Sequence, residues 1–131
     1  MSQLTVFLAR SIGLFCVLLA VALLVRGGTL VEATVADGPA MFVFGTISLA
    51  MGLAMVLGHN VWSGGALPVV VTLLGWSILA KGFMLLVMTP AAYGRLVAQM
   101  HYGEHQYLYV LPALLLGLYL TWAGFRKAQV R

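Results

Sequence analysis

The sequence predicts an all-α integral membrane protein: four transmembrane helices in a compact bundle, with short interfacial helices in the two outer loops. Three observations point there. Hydrophobic residues make up 63% of the chain and charged residues 8%, whereas soluble domains are about a quarter charged. A chain of 131 residues cannot hide so much apolar surface in one water-soluble core, so lipid is its natural solvent. Finally, four stretches are long and apolar enough to cross a hydrocarbon core of about 30 Å, which takes about 20 helical residues. No Ser-rich linker, repeat or low-complexity segment separates them, and residues 1–131 read as a single membrane domain.

The first span, about residues 4–25, holds one charge, Arg10. Arg10 and Ala20-Val21-Ala22 mimic a secretory signal, but cleavage there would leave Leu23-Leu24-Val25 as an odd mature terminus, so the segment reads as a retained span. The second span, about 40–57, has no charge. Asp37-Gly38-Pro39 precedes it, with Asp37 as the expected cap and Pro39 near the first helical position. Gly58 follows it where a left-handed C-terminal cap is expected. The third span, about 68–88, opens at Pro68, contains Lys81 and is stopped by Thr89-Pro90. The fourth, about 106–125, contains Pro112, which removes a backbone donor and is expected to bend the helix.

The loops are not featureless. Thr29-Leu30-Val31-Glu32 matches a capping box and predicts a short helix before the second span. Tyr93, Leu96, Val97 and Met100 recur at helical spacing with Arg95 and Gln99 elsewhere. That pattern predicts an amphipathic helix in the interface over about 90–102, ended by Gly103. Both loops fall on one face of the membrane.

Arg10, Arg126, Lys127 and Arg131 lie at the two ends of the chain, against Arg26 and Arg95 in the opposite loops, so both termini are expected on the cytoplasmic side. The aromatic residues agree: Trp62 and Trp122 fall at that interface, and Tyr102, Tyr107 and Tyr109 at the outer one. The net charge of +4 is a topology signal rather than a nucleic-acid footprint. Cys16, the sole cysteine, excludes an intrachain disulfide and a multi-thiolate metal site.

Lipid tails are as apolar as Leu, so helices in a membrane associate by close packing at small residues. Each span has such a stripe: Ala9, Gly13, Cys16 and Ala20; Gly45, Ser48 and Gly52; Thr72, Gly75 and Gly82; Ala113, Gly117, Thr121 and Gly124. These stripes predict tight contacts within one chain or between copies. A four-helix interior filled this way leaves no pore, so conduction would need an oligomer or an opened groove.

Lys81 is the most informative residue. A charge near the bilayer middle costs about 3 kcal/mol on insertion scales. Helical side chains tilt toward their own N-terminus, here away from the nearer surface, so snorkelling is unfavourable. Lys81 should therefore meet an acid, carbonyls, a wet pocket or an anionic ligand, and Glu32 and Asp37 are the acids on the matching side. Ser77, one turn away on the same face, and Trp76, whose indole N–H needs an acceptor, extend this into a polar intramembrane patch. Arg10 lies near its surface and snorkels easily.

His101-Tyr102-Gly103-Glu104-His105 formally matches H-x-x-E-H, an inverted zinc-protease motif. Gly103 weakens the helix that would align the two histidines, and no acid follows Glu104, so metal at His101, His105 and Glu104 is the remote alternative. No cofactor is expected. No Ser-His-Asp set, nucleotide-binding glycine motif or acid–base carboxylate pair occurs.

Gly58-His59-Asn60-Val61-Trp62 followed by Pro68, Thr72, Gly75-Trp76 and Lys81-Gly82 resembles a group of small four-span bacterial membrane proteins of uncharacterised function. The resemblance implies a bacterial inner membrane and no activity. On physical grounds His59 and Asn60 form a helix exit and Trp62 anchors in the headgroups.

Three functions compete. A non-enzymatic oligomeric subunit would bind or move a small or lipid-like anionic solute through Lys81. An accessory subunit would dock on a larger membrane complex by its glycine faces. A membrane enzyme or metal protein would use the outer His/Glu cluster. The expected partners are the bilayer and either further copies or another membrane protein.

Overall fold

A computed structural model describes residues 2–27 and 29–126, apart from the side chains of residues 29, 30, 32, 35, 102 and 103. It contains α1 (Gln3–Arg26), α2 (Thr29–Ala36), α3 (Gly38–Gly58), α4 (Ala66–Val87), α5 (Pro90–Gln99) and α6 (Tyr102–Arg126). Four are long and apolar enough to cross a membrane: α1, α3, α4 and residues Glu104–Arg126 of α6. The chain is an all-α, four-span, multi-pass membrane protein. The short α2 and α5 lie in the two loops expected to hold helices and rest against each other.

Local chemistry sets the helix ends. The Ser2 hydroxyl accepts from the Thr5 N–H at 3.2 Å to start α1. The Thr89 hydroxyl accepts from the Ala92 N–H at 3.2 Å to start α5, with Pro90 in its first turn. Asp37 occupies the expected cap of α3 in extended conformation, but its side chain makes no capping bond. The capping box at Thr29 and Glu32 rests on side chains outside the described residues.

Two expectations about helix ends are corrected. Gly58 is the last helical residue of α3 rather than a left-handed cap; His59 leaves the helix extended (φ −146°) while its N–H donates to the Met55 carbonyl at 2.7 Å. The exit is pinned from outside instead, because the Thr72 hydroxyl of α4 accepts from the Val61 N–H and donates to the Val61 carbonyl, each at 3.0 Å. The reversal then passes through Gly64 and Gly65, whose positive φ angles of 88° and 114° suit glycine. Second, α5 stops at Gln99 rather than Gly103. His101 takes the left-handed conformation (φ 48°) and its Nδ1 lies 3.0 Å from the Gln99 carbonyl, a local bond that holds the turn. In α6 the helical dihedrals also break at His105 (φ −115°, ψ 25°), about two turns before Pro112, which lies inside the helix.

The bundle consists of two antiparallel pairs, α1 with α6 and α3 with α4, which meet where α1 touches α4. Both pairs are zipped by the small-residue stripes. A Cβ on Gly13 would stand 2.6 Å from the Thr121 backbone nitrogen, and one on Gly117 would stand 2.9 Å from Cys16 Cβ. In the other pair a Cβ on Gly52 would collide with the Leu79 backbone, and one on Gly82 with the Leu49 backbone. Only glycine permits this approach, and close backbone packing replaces the hydrophobic drive that lipid cannot supply.

Where the two pairs join, Ala9 and Ile12 of α1, Met55 of α3, Leu67 and Val71 of α4, and Leu120 and Ala123 of α6 form one buried cluster. All seven lie toward one end of the bundle, which carries the start of α1, the α3–α4 turn and the end of α6. We call it the turn side, and the end bearing α2 and α5 the cap side.

Candidate functional site

The site is built on the face of α4 that carries Leu67 of the junction cluster. Leu67, Leu74 and Lys81 follow one another at heptad spacing, a drift of only about 20° per step, so all three share that face. Leu67 is 1% exposed in the junction cluster, and Leu74 is half-buried against it. Lys81 is exposed. The face therefore opens as it runs toward the cap side, and at Leu85, one turn beyond Lys81, the helix is buried again, against Gly45 of α3. We call this exposed position on α4, between the half-buried Leu74 and the buried Leu85, the notch.

Lys81 lies six residues before Val87, the last residue of α4, or about 9 Å along the axis. Among the described residues it has no hydrogen-bond or ion-pair partner. Asp37 is exposed, and the Glu32 side chain lies outside the described residues. Ser77, also exposed, is satisfied within its own helix by donating to the Leu73 carbonyl at 2.8 Å. Trp76 is 45% exposed at the other edge of the outward face of α4, so it does not share the notch.

The α3–α4 turn is a second constellation. Trp62 donates its indole N–H to Asn60 Oδ1 at 2.7 Å and is otherwise exposed, as an interfacial anchor should be. His59 is 2% exposed, and its Nε2 is the one buried side-chain polar atom among the described residues without a hydrogen bond. On the cap side, the rings of His101 and His105 meet edge to face, centroids 6.3 Å apart. Among the described residues no three His, Cys, Asp or Glu side chains group to hold a metal ion.

Sequence reasoning missed how Arg10 is used. Instead of reaching freely to the surface, its Nε donates to the Gly124 carbonyl at 3.1 Å and its guanidinium stacks on Phe125, 4.6 Å from the ring centroid. Arg126 stacks on Trp122 at 4.8 Å. Only the pairing of α1 with α6 brings these groups together, and no local signal announces that pairing. The chain matches no family model, no curated protein and no solved structure.

Proposed function

We propose that this protein is a non-enzymatic membrane subunit that binds a small or lipid-like anionic solute, entering sideways into the notch with its charged head on Lys81. One observation carries the proposal. Lys81 stands exposed at membrane depth without a partner among the described residues, and a bare ammonium there costs about 3 kcal/mol. An anion in the notch offsets that cost, and an apolar tail would lie against the exposed lipid-facing side chains. The site needs no aqueous pore, and an exposed position on α4 serves where the filled bundle interior cannot.

The glycines that could dock a larger complex pack inside the two pairs, which favours the solute-binding reading over an accessory role. The membrane we propose is a bacterial inner membrane with both termini cytoplasmic. Arg10 and Arg126 lie on the turn side, where no Asp or Glu lies among the described residues, and Lys127 and Arg131 follow Arg126 in the sequence. Glu32, Asp37 and Glu104 all lie with Arg26 and Arg95 on the cap side.

The test is photo-crosslinking in lipid nanodiscs with a phosphate-headed lipid carrying a diazirine near its headgroup, the labelled peptides being read by mass spectrometry. Labelling should concentrate on residues 74–84, fall about tenfold in Lys81→Met, and return in Lys81→Arg, as expected when a charge-assisted contact is removed and restored. Equal labelling of wild type and Lys81→Met would overturn the proposal.

A further inference from the structure

We infer that the turn side of α1 and α6 carries a second anion site, a two-arginine cradle for the headgroup phosphate of a phospholipid. It shares no residue with the notch. Trp122 and Phe125 are one turn apart on α6, about half exposed, and each carries a guanidinium on its ring: Arg126 over Trp122 and Arg10 over Phe125. Stacking fixes the plane of a guanidinium and leaves its N–H edge free to donate. Arg10 is half-buried and spends only its Nε on the Gly124 carbonyl, so its terminal amines are available.

Among the described residues, the turn side offers these guanidiniums no acidic side chain. All three acids of the chain, Glu32, Asp37 and Glu104, are placed at the opposite end of the bundle. The sequence after Arg126 contains Lys127 and Arg131 and no Asp or Glu. Two arginines whose planes are fixed by adjacent rings, one of them half-buried, therefore have no Asp or Glu side chain on their side among the described residues. A phosphate meets both requirements, since Arg recognises its oxygens through paired N–H donors. The two rings lie at the height of the helix end, where the acyl chains of the same lipid begin. The group recognised is a phosphate, supplied by a lipid headgroup or by free phosphate.

The experiment uses the full chain with Trp62→Phe and Trp76→Phe, which leaves Trp122 as the only indole. Emission is recorded in dodecyl maltoside micelles, which carry no phosphate, in the same micelles titrated with phosphatidylglycerol, and in those micelles with added inorganic phosphate. A saturable Trp122 response to phosphatidylglycerol is expected, weakened about tenfold by Arg126→Gln, the loss of one charge-assisted contact. Arg126 stacks on Trp122 of its own helix, and helix content checked by circular dichroism shows whether this variant keeps the fold. Arg10→Gln should weaken the response similarly, with helix content checked by circular dichroism because Arg10 also holds Gly124. A response to phosphatidylglycerol alone assigns the site to lipid, and an equal response to inorganic phosphate assigns it to the free anion. A response that does not saturate, or that Arg126→Gln leaves unchanged, overturns the inference.

Discussion

Leu67 and Lys81 occupy one face of α4, two heptads apart, and live in different worlds. Leu67 is sealed in the junction of four helices, while Lys81 looks out of the notch. The same difference separates the two ends of the molecule. On the turn side the helix pairs are welded by the cluster around Ala9, Val71 and Leu120. Toward the cap side α3 and α4 remain zipped at Gly45 and Gly82, but α4 is exposed at Lys81. Cohesion within a pair and cohesion between pairs are thus separate properties. Backbone contact at glycine supplies the first, and interdigitated side chains at one end supply the second.

The comparison can be broken most severely at the glycines. Gly52→Leu places a side chain where the Leu79 backbone already lies, so α3 and α4 must separate. A loss of about 3 kcal/mol or more is expected, read as a lowered unfolding midpoint in mixed micelles. Next comes the heptad series. Leu67→Ala opens a cavity in the junction, and because lipid cancels much of the transfer term, about 2 kcal/mol should be lost. Leu74→Ala should cost about half as much. Lys81→Met should leave stability within about 0.5 kcal/mol while removing anion binding. Equal losses at all three positions would erase the distinction between a closed and an open half.

The turn comes third. Thr72→Val removes both hydrogen bonds to Val61 and should cost about 2 kcal/mol, with faster hydrogen exchange at the Val61 amide as the local readout. The smallest effect is expected at His59, where Nε2 is buried without a partner. Replacement by a side chain of similar size that brings no polar atom, His59→Phe, should be neutral or stabilising by about 1 kcal/mol. A clear destabilisation there would mean that the imidazole holds the turn through a bond it lacks in this structure.

The four spans, the helices in both loops and the glycine zippers were legible in the sequence because each follows from composition or spacing within one segment. Which helices pair was not. Four stripes of small residues are compatible with several pairings, and only the tertiary structure joins α1 to the distant α6. That pairing accounts for what was misread. Arg10 appeared as a free snorkelling residue because its acceptor, the Gly124 carbonyl, is 114 residues away. Thr72 appeared as a small packing residue because its hydroxyl serves a turn that another helix enters. Lys81 was recognisable as costly from its depth alone, but its exposure depends on how the helices pack, which no local pattern encodes. The turns after α3 and α5 were misplaced for a related reason: side chains at Thr72 and His101 hold them, where glycine had been expected.

The central claim is that Lys81 receives an anionic headgroup in the notch. The chain contains only two lysines, Lys81 and Lys127, so 15N-lysine labelling yields two ammonium signals, with Lys127→Arg assigning them. Solid-state NMR dephasing between 15N and 31P in phospholipid bilayers reports whether a phosphate touches either one. The expected result is strong dephasing of the Lys81 signal, retained in Lys127→Arg. A Lys81 ammonium that shows no phosphorus nearby, and contacts instead a carboxylate carbon of this chain, would contradict the claim.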